Sequence, residues 1–181
     1  MGDMTNRSYT AGILGIDGFV VVVEATVKPG LSNLDIPGPT DRHIDEAKAR
    51  VNAALRLFEL PARKLAVTFE PAGERMAPGC DMAIVSALLV AHGVLEPEDL
   101  DETLMWGEVD FDGGLRPSVG TLIVADLARK HGMKRLLVPE RAAGEAVLGA
   151  SGLEVIGVRD LHALVSHLRG KTLPVHTVEL R

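Results

Sequence analysis

The sequence predicts an α+β domain, a mixed β-sheet with helices packed on it. Three observations lead there. Strand-like segments come first and then alternate with helical ones, the order expected of a mixed sheet. Met82 to His92 is apolar on almost every side, as a helix buried in the middle of a domain must be. Trp106 to Gly120 reads as strand, tight turn, short strand and the start of a helix, and it fixes the placement of its neighbours.

Ser8 to Ile16 reads as a strand, Asp17-Gly18 as a turn and Phe19 to Val27 as a long β-branched strand closed by Lys28-Pro29-Gly30. Leu31 to Ile36 alternates as a third strand, and the three together predict an antiparallel meander. Pro37-Gly38-Pro39 breaks regular structure. Thr40 or Asp41 is the expected N-cap of a helix ending near Phe58. Ile44, Ala47, Val51, Ala54, Leu55 and Phe58 share one stripe of it at helical spacing, and Glu46 with Arg50 forms an i,i+4 pair. Arg63 to Phe69 reads as a strand and Glu70 to Pro78 as a loop. Asp81 is the expected N-cap of the buried helix, which Gly93 stops. Pro97 to Asp101 is an acidic linker.

In the hairpin, Trp106, Val109 and Phe111 supply β-favouring bulk and Asp112-Gly113-Gly114 the turn, since glycine accepts positive φ at no steric cost. Pro117 ends the second strand because it has no N–H to give a ladder. A helix from Thr121 to His131 follows, then a strand from Arg135 to Val138, a short helix from Ala142 to Gly149 and a strand from Leu153 to Val158. Asp160 caps a last helix, Leu161 to Leu168. Residues 1–7 are expected to be extended or disordered, 8–170 to form the domain and 171–181 to be a tail or linker.

The chain's 181 residues are enough for one sizeable core, and with one Trp, one Tyr and four Phe that core must be aliphatic. A net charge of −6 exerts no global pull toward nucleic acid or an anionic membrane. The single cysteine, Cys80, excludes an internal disulfide and a cysteine-built metal site, in keeping with a reducing cytoplasm. The polar N-terminus has no apolar signal-peptide core, and no apolar run is long enough to span a bilayer.

Few residues invite chemistry. Gly170-Lys171-Thr172 ends like a phosphate-binding loop, but Val165 stands where the motif's first glycine belongs, so no ATP binding or hydrolysis is expected. His162 and His167 are five apart and do not share a helix face, and the acids around His43 suit a helix N-terminus for the dipole alone. No metal or cofactor is expected. Cys80 sits just before a helix N-terminus, where a thiol pKa can fall, although free cysteines are usually buried and inert. Basic residues gather at Arg42, Lys48, Arg50 and Arg56 on the exposed side of the first helix and at Arg63 and Lys64 beyond it, an interaction surface interleaved with acids.

Several segments occur in one order: Gly30-Leu31, Asp35-Ile36-Pro37-Gly38-Pro39-Thr40-Asp41, Glu46-Ala47, Arg50 to Leu55, Pro61 to Lys64, Pro71-Ala72, Asp81 to Val85, Gly107-Glu108 and Gly114 to Pro117. In this the chain resembles the N-terminal domain of the magnesium-chelatase-like AAA+ ATPases of the ChlI subfamily, the group containing the bacterial competence protein ComM. The resemblance runs from about Ser8 to Arg169. It implies the fold of ribosomal protein S5 domain 2, shared with the Lon protease domain. It also implies a ring-forming, DNA-acting parent ATPase whose motor module is absent from this chain. The family's Gly-Leu-Pro-Asp is Gly38-Pro39-Thr40-Asp41 here, and its lysine-bearing loop is Pro71 to Gly79 without lysine. Lon's catalytic serine and lysine positions fall on Gly79 and Leu122. The chain is therefore expected to be no enzyme, but a cytoplasmic accessory or interaction domain with an AAA+ partner in cis or in trans. DNA binding by the isolated chain is expected to be weak or absent. The alternatives are a divergent Lon-like hydrolase using Cys80 or Ser118, or a stand-alone regulator of an AAA+ partner.

Overall fold

The computed structural model describes residues 6–37, 42–72, 77–170 and 175–176. The chain begins with two long strands, β1 (Asn6–Leu14) and β2 (Asp17–Lys28), and a short β3 (Asn33–Asp35). It continues through α1 (Arg42–Arg56), β4 (Lys64–Glu70) and α2 (Asp81–Ala91). Then come β5 (Thr103–Met105), the hairpin of β6 (Glu108–Val109) and β7 (Leu115–Arg116), and α3 (Thr121–Lys130). The last elements are β8 (Arg135–Pro139), α4 (Ala143–Gly149), β9 (Glu154–Val158), α5 (Leu161–Leu168) and β10 (Val175–His176). Among the described residues, eight strands form one sheet in the order β10-β9-β8-β5-β1-β2-β4-β3, and β6 pairs with β7 apart from it. The sheet is mixed: β1, β2 and β4 run antiparallel to their neighbours in that group, while β1-β5, β5-β8, β8-β9 and β3-β4 are parallel. The architecture is therefore α+β.

The meander expectation fails at β3. That strand does not pair with β2; it runs parallel to β4, Leu34 opposite Leu65. β4 inserts between them because Val22 through Lys28 of β2 finds a seven-residue antiparallel partner in Lys64–Glu70. Three residues of β3 cannot match that ladder. The expected helix cap at Thr40 or Asp41, and Gly38-Pro39 before it, lie outside the described residues, as do Gly73 to Met76, Lys171 and Thr172.

The core follows the predicted patterns. On α1, Ile44, Ala47, Val51, Ala54 and Leu55 are buried and Phe58 is half-buried just past the helix end. On α2, every residue from Asp81 to Val90 is buried. That helix lies on the face of β1 that Ser8 and Thr10 share: Ser8 Oγ donates to the Ala83 carbonyl at 2.6 Å, and Thr10 Oγ1 to the Met105 carbonyl at 2.8 Å. Strand side chains alternate faces, so the register partners Val23 and Val21 join them against α2.

The hairpin turn runs from Asp110 to Gly114, with Gly113 at φ 85 and Asp112 Oδ1 accepting from the Gly114 N–H at 2.9 Å. Two expectations there need correction. Trp106 lies between β5 and β6 and is buried, and Phe111 sits in the turn, 63% exposed. Asp160 caps α5 as expected, its Oδ1 accepting from the Ala163 N–H at 2.8 Å. The leading part of the 171–181 tail lies outside the described residues, but Val175-His176 forms β10 against β9.

Candidate interaction sites

The charged residues of the first helix divide into separate settings. Arg42 pairs with Glu46 at 3.1 Å in solvent. The Glu46–Arg50 pair read from spacing is therefore replaced, and Arg50 turns inward. Its side chain is only 11% exposed, and its Nε lies 3.0 Å from Asp81 Oδ2 and 4.0 Å from Glu108 Oε1. Lys48 is half-buried and Arg56 exposed. On β4 and just before it, alternation separates Lys64 from Arg63: Lys64 lies against Gly30, while Arg63 shares a cavity with Leu65. The six basic residues therefore do not form one surface.

Asp81 departs furthest from expectation. It is not an N-cap, because a 3₁₀ turn, Pro78–Cys80, runs straight into α2 and makes Asp81 the first helical residue. Its carboxylate points into the protein. Oδ2 accepts from the Val109 N–H at 3.1 Å as well as from Arg50, and Oδ1 has no hydrogen-bond partner among the described residues. Burial pushes the Asp81 pKa up to about 6, against the opposing pull of Arg50 and the Val109 amide. The network continues outward: Arg116 holds Glu108 at 2.9 Å and Asp110 at 2.6 Å. One buried carboxylate thus ties α1, α2 and the β6–β7 hairpin together. Spacing gave a signal for it, since Ala47, Arg50 and Ala54 fall at i, i+3 and i+7.

The candidate nucleophiles are placed as follows. Cys80 is 3% exposed, its thiol donates to the Ala11 carbonyl at 3.5 Å, and burial pushes its pKa up to about 12. The dipole effect that would lower it loses to desolvation. Ser118 is half-buried, its carbonyl accepting from Thr121 Oγ1 at 3.2 Å. Gly79 is covered by Trp106: a Cβ there would lie 2.5 Å from the indole Cε2, so a serine does not fit unless the ring moves. Leu122 is 45% exposed on the first turn of α3. Among the described residues no three His, Cys, Asp or Glu side chains gather as a metal site would require, and no helix is long and apolar enough to cross a membrane.

Among the cavities of the described residues, two lie beside the elements already discussed. The first, about 440 Å³, lies between the end of α1, β3, the start of β4 and the end of α2. Arg56, Arg63, Ser32, Asn33, Asn52 and His92 line it, over a floor that includes Leu34, Leu55, Leu60 and Leu65. No spacing pointed to Asn52 or His92 there, because they come from helices that meet only in three dimensions. The second, about 430 Å³, lies between the β1–β2 turn, α3 and the end of α4. Ile16, 87% exposed, and Leu122, 45% exposed, line it together with Asp17, Asp126 and Lys130, and Val119 and Leu148 are exposed at the neighbouring positions just before α3 and late in α4.

Comparison with known proteins bears on the segment that carries most of these features. The family model described as "Subunit ChlI of Mg-chelatase" matches residues 23–142. An uncharacterized protein of Mycobacterium tuberculosis, Rv2897c, is 34% identical over 169 residues, covering 92% of this chain and 33% of that protein. YifB of Escherichia coli is 29% identical over 166 residues, covering 90% of this chain and 32% of its own length. Competence protein ComM of Haemophilus influenzae is 27% identical over 173 residues, with 93% and 34% covered. The chain spans about a third of the length of these curated relatives. The match takes in α1, α2, the hairpin, α3 and β8, more than half of the chain, and the chain belongs to the family of the ChlI subunit of magnesium chelatase.

Proposed function

We propose that this domain is a non-catalytic accessory module of a cytoplasmic, DNA-processing ChlI-family protein, with a fold of the S5 domain 2 and Lon type. Its partner is an AAA+ ATPase module, supplied in cis or in trans. The observation that carries this reading is the exposure of four large apolar side chains, Ile16, Val119, Leu122 and Leu148, of which Ile16 and Leu122 line one cavity. Exposed apolar clusters of this kind mark contact surfaces. The hydrolase alternative has less support, because the buried Cys80 thiol resists ionisation.

The test uses this chain and the remaining two thirds of a relative such as YifB, expressed separately. Calorimetry is expected to show a complex that Leu122→Glu with Leu148→Glu abolishes, with circular dichroism unchanged. Absence of a complex would remove the interaction reading. Hydrolytic activity lost on labelling Ser118 or Cys80 would replace it with the enzyme reading.

The basic residues predict a second outcome. Tight phosphate tracking needs several uncompensated cations on one path. Here Arg42 and Arg50 are paired with acids, and Lys64 points away from Arg63. Fluorescence anisotropy with duplex DNA at physiological salt should give a Kd of about 10⁻⁴ M or weaker. Sub-micromolar binding that Arg56→Glu with Arg63→Glu eliminates would turn the domain into a DNA-binding one.

A further inference from the structure

We infer that the cavity between α1, β3 and β4 is a binding site for a small organic oxyanion, its phosphate or carboxylate held by Arg56 and Arg63 and its apolar body seated on the leucine floor. The volume, about 440 Å³, is in the range of small-ligand pockets. The arrangement has the same division of labour: a few polar groups over an apolar base.

Charge decides the sign of the ligand. The chain as a whole carries −6, yet among the described residues no carboxylate lines this cavity. Among the described residues, neither Arg56 nor Arg63 has an ion-pair partner, in contrast to Arg42, Arg50 and Arg116. One opposing term is real. The C-terminal ends of α1 and α2 both reach this region, and each carries roughly half a negative charge from its unpaired carbonyls. Two full guanidinium charges against about one negative charge leave the cavity positive.

The neutral groups fit an oxyanion as well. Ser32, Asn33 and Asn52 bring hydroxyl and amide donors to the same walls. His92 reports the local field: burial and the charge of Arg63 lower its pKa. A bound anion beside Arg63 would offset that charge and raise the His92 pKa again.

The leucine floor limits the ligand to one anionic group on a compact apolar body, not a polyanionic strand. The site is independent of the apolar surface by α3, with which it shares no lining residue.

The experiment is an NMR titration of the whole chain with phenyl phosphate, benzoate, inorganic phosphate and phenol as probes. Phenyl phosphate or benzoate is expected to bind in the low-millimolar range or better, shifting the Asn33 and Asn52 side-chain amides and moving the His92 titration upward. Whichever of the two binds more tightly identifies the anionic group. Arg56→Gln and Arg63→Gln should each weaken binding by about tenfold or more, since each removes a charged hydrogen-bond donor. Arg42→Gln, whose arginine is paired with Glu46 away from the cavity, should leave it unchanged. Both arginines are exposed, so these variants are expected to fold. The inference is overturned if neither organic anion shifts those signals, if phenol binds as well as phenyl phosphate, if inorganic phosphate binds as well as phenyl phosphate, or if Arg42→Gln weakens binding as much as the cavity variants.

Discussion

Arg50→Ala is expected to destabilise the domain by about 3–5 kcal/mol, the usual result of leaving one member of a buried ion pair alone. Asp81 is fully buried, and Arg50 is the cation within hydrogen-bond distance of it. The size of the loss should depend on pH. Arg50 is the chief influence holding the Asp81 pKa down against burial, so the variant's Asp81 keeps its proton to higher pH still. A neutral carboxyl needs no cation. The penalty should therefore be greatest at alkaline pH and shrink as the solution is acidified. The intact protein has a related signature. Folded Asp81 holds its proton up to about pH 6, while the unfolded group releases it near 3.8. Between those values the folded state binds more protons, so this group's contribution to stability is full at low pH and is lost as pH rises through about 6. Asp81→Asn should remove that contribution to the slope. Urea denaturation from pH 4 to pH 8 measures both effects. A penalty for Arg50→Ala below about 1 kcal/mol, as for an exposed pair, would mean that the Arg50–Asp81 contact is not buried.

Leu88→Ala should cost about 2–5 kcal/mol, lowering Tm by roughly 4–20 °C for a domain of this size. Leu88 is fully buried on a helix enclosed by the β1–β2 side of the sheet and by α1. The spread in such losses reflects how far the surroundings collapse into the void. Every residue of α2 from Asp81 to Val90 is buried, so the helix is held on all sides and has little freedom to shift into the void. The upper half of the range is therefore expected. Leu122→Ala, at a side chain 45% exposed, serves as the control and should change stability by no more than about 0.5 kcal/mol. Equal losses at the two positions would contradict the enclosed placement of α2.

The local elements were written in the sequence, and some of the site was too. The stripe on α1 and the unbroken apolarity of α2 report periodicity, which depends on neighbours a turn away. Asp160 could be read as a cap because its partner, Ala163, is three residues distant. The same local logic misread Asp81: its position before an apolar run matches a cap, but the residues that claim it, Arg50 and Val109, are 31 and 28 positions away. Pairing Glu46 with Arg50 failed for the same reason.

What the sequence determined by itself was the α+β class, the placement of most helices and strands, the aliphatic core and the resemblance to the ChlI family. Only the tertiary structure decided which strands are neighbours, and that Arg50 is held by the buried Asp81 carboxylate while Arg56 and Arg63 line a cavity. Helix and strand period is fixed by backbone geometry within a few residues. Strand order and the fate of a charge are fixed by which surfaces meet on folding. β4 displaced β3 from β2 because it offers a longer ladder. Arg56 and Arg63 came to share a cavity because the end of α1 packs beside the strand that follows it.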